Sequence, residues 1–220
     1  MEAVVFDLDG TLINSVIQFE KMKQMMIAYL GKAGVTPGLL DDGMLNFEIT
    51  SKAAEDLRAK GFGEERIAAV LGGVSEIMNH VELESVDRAA ATEGVREALR
   101  DLKAKGLKLG VMTRGCREYA ERVLSRLGLR KYFDAVVARD DVDKPKPNPE
   151  HAFHLLSLLG VSAAEALYVG DHWSDAECAK QAGLGFVFFR RPGQDTQPQG
   201  GLSFEAVDDI RDIVKLVNAS

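Results

Sequence analysis

Residues 3–11 read Ala3-Val4-Val5-Phe6-Asp7-Leu8-Asp9-Gly10-Thr11. The first four are a β-branched and aromatic run stopped by a turn signal, the pattern of a short buried strand. The strand runs into two carboxylates two positions apart. A period of two puts Asp7 and Asp9 on one side of the chain. Like charges that close cannot both ionise cheaply, so they need a cation, or one must hold a proton. Gly10 permits a tight turn with room for a ligand, and Thr11 adds a hydroxyl and a backbone N–H. Taken alone, the same stretch also reads as a turn carrying two solvated acids.

Working outward, the apolar period changes from about Val16. Phe19, Met22, Met26 and Leu30 recur three or four apart, which predicts an amphipathic helix ended by Gly31 or Gly34. Pro37-Gly38 is a turn. Ala53 and Leu57, then Ile67, Val70, Leu71, Val74 and Ile77, continue in helical spacing, with Gly61 and Gly63 between the two groups. Nothing from 15 to 86 has the period of a strand. Met22, Met25, Met26 and Met44 are expected to fill the core of this helical unit.

After Ser85 strand and helix alternate. Helices are expected around Val95–Leu102, Tyr119–Leu127 and Glu150–Leu159, and again up to Ala182. Strands are expected at Leu107–Met112, Phe133–Ala138, Ala166–Val169 and Phe186–Phe189. Arg191 to Gly201 reads as a loop and Glu205–Val217 as a surface helix. Such alternation predicts a parallel, Rossmann-like α/β sheet. The expected organisation is an α/β core of residues 1–14 and 87–220, with an all-helical unit of residues 15–86 inserted after the first strand. Ligands of such sheets bind beyond the carboxyl ends of the strands.

Several residues with chemistry fall at those ends. Asp171 follows Gly170 where a strand gives way to a helix, and Asp175 lies one helical turn further. Hard cations such as Mg²⁺ take carboxylate oxygens, so Asp7, Asp171 and Asp175 are candidate ligands. Helix capping by Asp171 or Ser174 is the competing reading. Thr113 is a strand-end hydroxyl before a helix N-terminus, suited either to phosphate or to a cap. Lys144 opens the rigid loop Lys144-Pro-Lys-Pro-Asn-Pro149 and could clamp a phosphoryl group, with Lys146 as its immediate competitor. His80, His151 and His154 lack metal-ligand spacing and are expected to be solvated. Cys116 and Cys178 fall inside helices and are expected to pack.

Composition narrows the classes. With 27 Lys plus Arg against 34 Asp plus Glu, the net charge is −7. An acidic surface argues against nucleic acid and anionic membrane as partners. Two cysteines without a CxxC or Cys/His cluster argue against zinc. There is no GxGxxG or GxxxxGK[ST] loop. Met1 and Glu2 run into the first strand without a basic leader, and no apolar run is long enough to span a bilayer, so a cytoplasmic protein is expected.

In order, Asp7-Leu-Asp-Gly-Thr11, Thr113, Lys144-Pro-Lys-Pro147 and Gly170-Asp171…Asp175 resemble the four motifs of the haloacid dehalogenase superfamily. Within it the chain is similar to the phosphoglycolate-phosphatase-like phosphatases, whose helical cap is inserted after the first motif. The resemblance implies a phosphatase acting on a small phosphorylated metabolite with Mg²⁺. Asp7 would be the nucleophile that becomes a phosphoaspartate, and Asp9 the acid and then the base. Gly10, Thr11, Thr113, Arg114 and Lys144 would hold the phosphoryl group. Asp7, the backbone carbonyl of Asp9, and Asp171 would ligate the metal, with Asp175 supporting them directly or from behind. Thr11 after Gly10 fits phosphatases; related sugar-phosphate mutases tend to carry Val there. Asn14 and Arg114 depart from the family's usual Asp and Asn. The alternatives are a phosphotransferase or phosphomutase using the same aspartate, or a noncatalytic phosphate-responsive protein.

Overall fold

The computed structural model describes residues 1–191 and 204–219. In chain order these form β1 (Ala3–Phe6), β2 (Ile13–Asn14), α1 (Phe19–Ala33), α2 (Asn46–Ala59), α3 (Glu64–Glu84) and β3 (Ala90–Ala91). There follow α4 (Val95–Ala104), β4 (Lys108–Met112), α5 (Arg117–Arg126), β5 (Ala135–Val137), α6 (Glu150–Leu159) and β6 (Ala166–Gly170). The chain continues with α7 (Trp173–Ala182), β7 (Gly185–Phe189), β8 (Glu205–Val207) and α8 (Ile213–Ala219).

Six strands make one parallel sheet in the order β5-β4-β1-β6-β7-β8. The first strand therefore sits inside the sheet. Phe6 is in register with Val111 of β4 on one side and Val169 of β6 on the other. The residues that follow these three strands emerge at neighbouring points on the sheet's carboxyl end. That edge receives Asp7, Thr113 and Asp171.

The strands are continuous apolar runs because both faces are covered. On one face Ala3, Val5, Met112, Val137 and Tyr168 share a core with Leu155, Leu156 and Leu159 of α6 and Cys178, Ala179 and Ala182 of α7. Val4 and Phe6 alternate to the opposite face and are equally buried. Phe6 meets Phe133 there, edge to face, with ring centroids 6.4 Å apart.

The chain divides into two compact units, Met1–Ser15 with Val86–Ser220, and Val16–Ser85. The second is helical. Met22, Met26 and Leu30 of α1, Ile49, Ala53 and Leu57 of α2, and Ile67, Val74 and Met78 of α3 form its core, with Met25 and Met44 packed at its margin. Of the two expected stops, α1 runs through Gly31 and is capped at Gly34.

Three elements depart from the sequence expectation. Ile13–Asn14 and Ala90–Ala91 pair antiparallel where the chain leaves and re-enters the α/β unit; two residues are too few to show a period. Glu205–Val207, expected to be helical, is an edge strand parallel to β7. Pairing with an existing sheet edge overrides local preference there. The helical part of that stretch begins at Ile210, whose side chain is buried, as is that of Ile213. Past its first residue, the loop expected from 191 to 201 lies outside the described residues. No helix of the described residues is long and apolar enough to cross a membrane.

Candidate active site

Asp7 emerges from β1 with its backbone N–H still donating to Val169 O at 2.9 Å, so the carboxylate is fixed to the central strand. Asp171 follows β6, and Asp175 lies in the first turn of α7. One carboxylate oxygen from each of Asp7, Asp171 and Asp175 lies within 4.8 Å of the others, and all three residues are buried.

Gly10 makes this approach possible. Its φ is +94°, a left-handed conformation open to glycine. A Cβ there would fall 2.4 Å from Asp171 Oδ2, so any side chain would displace that carboxylate. Thr11, fully buried, donates from Oγ1 to Asp171 Oδ1 at 3.2 Å. The capping reading of Asp171 is not realised. The N-cap of α7 is His172, whose Nδ1 accepts from Ser174 N at 3.3 Å. Asp175 closes the same turn, its Oδ2 accepting from His172 N at 3.0 Å.

The lysine in this site is Lys146, and Lys144 is exposed. This corrects the sequence expectation, which put Lys144 in the clamp. The backbone bends at 142–144, leaving Lys144 in solvent, and Lys146 N–H is anchored on His151 Nδ1 at 3.2 Å. Its side chain then turns inward. Lys146 Nζ lies 2.6 Å from Asp7 Oδ1, 2.7 Å from Asp175 Oδ1, 2.7 Å from Tyr168 Oη and 2.9 Å from Met112 O. An ammonium carries three hydrogens, so four acceptors saturate it. Tyr168 in turn donates to Asp175 Oδ1 at 2.7 Å.

His151 also departs from expectation: it is fully buried, not solvated. Its Nδ1 accepts from Lys146, so the proton sits on Nε2, which faces Val137 O at 3.2 Å. Burial, and then the charge of Lys146, lower its pKa to about 3.

Asp9 is half-buried and turned toward the turn after β4. Tyr119 Oη donates to its Oδ1 at 2.6 Å, and Thr113 Oγ1 lies 3.5 Å from its Oδ2. Thr113 Oγ1 also accepts from Gly115 N at 3.0 Å, so it organises a local turn as well. Arg114 is half-buried, and its charge helps hold His172 down at about 4, behind the larger effect of burial.

The electrostatics show a shortage of positive charge. Three carboxylates against the Lys146 ammonium and the Arg191 guanidinium sum to −3 + 2 = −1. Burial pushes Asp7 above the ordinary carboxylate range against the pull of Lys146. Burial, and then the charges of Asp7 and Asp175, push Asp171 up to about 8, although Arg191 Nε stands 2.9 Å from its Oδ2. Asp175 is buried as deeply, yet Lys146 holds it below its usual value. Lys146 itself stays charged, since Asp175 and Asp7 outweigh its burial. A buried set of three carboxylates whose negative charge exceeds that of the cations beside it is a set of hard oxygen donors that fits a divalent cation such as Mg²⁺.

The sequence offered Lys146 only as the competitor of Lys144 and His151 only as a solvated ring, and it assigned no role to Tyr168 or Tyr119. The last two read as apolar-face residues of a strand and a helix, and only their hydroxyls distinguish them.

Residues 4–189 match the haloacid dehalogenase-like hydrolase family. The chain is 29% identical over 187 residues to the phosphoglycolate phosphatase of Yersinia pseudotuberculosis, covering 83% of this chain and 78% of that one. It is 30% identical over 227 residues to the pyrophosphatase PpaX of Halalkalibacterium halodurans, covering 97% of each. Among solved structures, a HAD-superfamily hydrolase from Geobacter sulfurreducens superposes with a TM-score of 0.61 at 25% identity, over 98% of this chain and 99% of that one.

Proposed function

The chain belongs to the haloacid dehalogenase-like hydrolase family, and we propose that it hydrolyses the monoester of a small organic phosphate, with Asp7 as nucleophile and Mg²⁺ as cofactor. The observation that carries this reading is the placement of Asp7. It stands at the end of an inner strand, 2.6 Å from a buried lysine, with two further carboxylates within 4.8 Å.

Asp7, the backbone carbonyl of Asp9, and Asp171 would hold the metal, with Asp175 supporting them through Lys146 and the first turn of α7. The bound cation supplies charge neutralisation between a carboxylate and a phosphoryl group that otherwise repel. The chain's own residues do the rest. Thr113, Arg114 and the Gly10-Thr11 turn bind the phosphoryl oxygens. Asp7 attacks phosphorus while Lys146 stabilises the charge that gathers beside it. Asp9 gives its proton to the leaving oxygen as the P–O bond breaks, and the alcohol departs. Asp9, now ionised, takes a proton from the water that attacks the phosphoaspartate. Phosphate leaves and Asp7 is restored.

The relatives named for phosphoglycolate and pyrophosphate support a small, highly charged substrate. The test is release of p-nitrophenol from p-nitrophenyl phosphate, run with Mg²⁺, with EDTA, and with Asp7→Asn. Metal-dependent release that disappears in the variant is expected. Release that persists in EDTA or in Asp7→Asn would overturn the mechanism. A panel of phosphoglycolate, pyrophosphate and sugar phosphates then orders the substrates.

A further inference from the structure

We infer that Tyr119 is a positioning residue, whose buried hydroxyl sets the direction in which the Asp9 carboxylate gives and takes protons. The inference rests on the phosphatase mechanism above and extends it to a residue that mechanism does not use. Tyr119 lies in the first turn of α5 with no exposed surface. A phenol buried there costs free energy unless its O–H finds an acceptor. It finds Asp9 Oδ1 at 2.6 Å, a short bond to a carboxyl oxygen. Thr113 Oγ1 approaches the other oxygen at 3.5 Å. Two hydroxyls, one just after β4 and one in the first turn of α5, thus face the two oxygens of the Asp9 carboxylate.

The turn between them is built for this. Gly115 separates Thr113 from α5, and a Cβ on it would stand 2.8 Å from Tyr119 Cδ1 and 3.4 Å from Thr113 Oγ1. Any larger residue would push the ring off its path to Asp9. Proton transfer needs the acid within hydrogen-bond reach of the leaving oxygen, and orientation is worth orders of magnitude in rate.

The role predicts a selectivity that a purely structural residue would not show. An alkoxide is a poor leaving group and needs Asp9's proton as it departs; p-nitrophenolate leaves without one. In Tyr119→Phe, kcat/KM for phosphoglycolate, or for glucose 6-phosphate if that is the better alkyl ester, should fall about tenfold or more. For p-nitrophenyl phosphate, kcat/KM should stay within about twofold, because it reports only steps through phosphorylation of Asp7. Its kcat should drop, with phosphoenzyme accumulating, because water attack still needs Asp9 as base. Thermal melting checks that the variant is folded. If it is not, Tyr119→Met, also lacking the hydroxyl, is put through the same comparison. Equal losses on both ester types, or no loss on either, would overturn the assignment. Absence of turnover in the wild-type protein on every ester would instead overturn the phosphatase reading itself.

Discussion

The helical unit and the carboxyl end of the sheet are both tightly packed, with opposite chemistry. Among the described residues of 16–85, the buried side chains are apolar apart from Glu82 and Ser85. In the α/β unit, Asp7, Thr11, Thr113, Lys146, His151, Asp171, Ser174 and Asp175 are all buried. An apolar core is held by a non-directional force and asks only for volume and pattern. Buried charges cost several kcal/mol each in desolvation and persist only where every one is answered. The α/β unit gathers that cost in one place, which is how a chain trades stability for a site able to meet a phosphate.

The largest expected effect breaks the comparison at a single charge. Replacing Lys146 by Met removes the ammonium from Asp7 and Asp175 while keeping most of the side chain's volume. Turnover of p-nitrophenyl phosphate should fall by about 10²–10³-fold or more, and stability by about 3–5 kcal/mol, as when one partner of a buried pair is removed. Lys144→Met, two positions away in solvent, should stay within about twofold on activity and about 0.5 kcal/mol on stability. Steady-state kinetics and urea denaturation of the two variants decide the matter. If Lys144→Met were the crippled one, the assignment of the clamp to Lys146 would be wrong.

A second pair sharpens the contrast between shape and charge. Leu57→Met in the helical unit conserves volume and should cost less than about 1.5 kcal/mol, whereas Leu57→Ala should cost about 2–5. Asp175→Asn conserves volume as well, yet it takes a charge from Lys146 and weakens the bond from Tyr168. Activity should fall about 100-fold or more, a penalty that conservation of shape does not soften. Turnover of Asp175→Asn within about threefold of wild type would show that its charge is dispensable.

These residues were unevenly legible in the sequence. Asp7 and Asp171 could be placed because each follows an apolar run stopped by a turn, and a strand end is a fixed point in a parallel sheet. Three helices in the insertion could be read because apolar residues three and four apart leave no other regular choice. The choice between Lys144 and Lys146 could not, since it depends on bends in a loop where no period operates. His151 and Tyr119 look in sequence like ordinary helix residues. What separates them is the partner each meets: the N–H of Lys146, in an irregular loop before the helix, for His151, and Asp9 Oδ1, 110 positions away, for Tyr119. The strand Glu205–Val207 was missed for the same reason: its hydrogen bonds are to β7, not to its own neighbours in sequence.

The smallest expected effect tests whether the buried polar region extends one layer behind its charged groups, to His151. Burial, and then Lys146, lower this ring from 6.5 to about 3. The unfolded ring takes up a proton as pH falls below its ordinary value; the folded ring stays neutral until about 3. The unfolded state therefore binds more protons across that window, and stability contributed by the neutral ring is full above 6.5 and lost as pH falls toward 3. The loss is about 1.4 kcal/mol per pH unit. Gln at 151 keeps an acceptor for Lys146 N–H and a donor for Val137 O, and does not titrate. Urea denaturation of both proteins in EDTA at pH 7.5 and 5.5 gives two stability differences. Asp7 and Asp171 titrate in both proteins, so their contributions cancel in the comparison. Between the two pH values the difference should move by about 1.4 kcal/mol in favour of His151→Gln. A difference that does not move with pH would mean that the folded ring accepts a proton as readily as the unfolded one. Lys146 would then be anchored by something other than a neutral imidazole, and the polar end of the sheet would stop at the lysine.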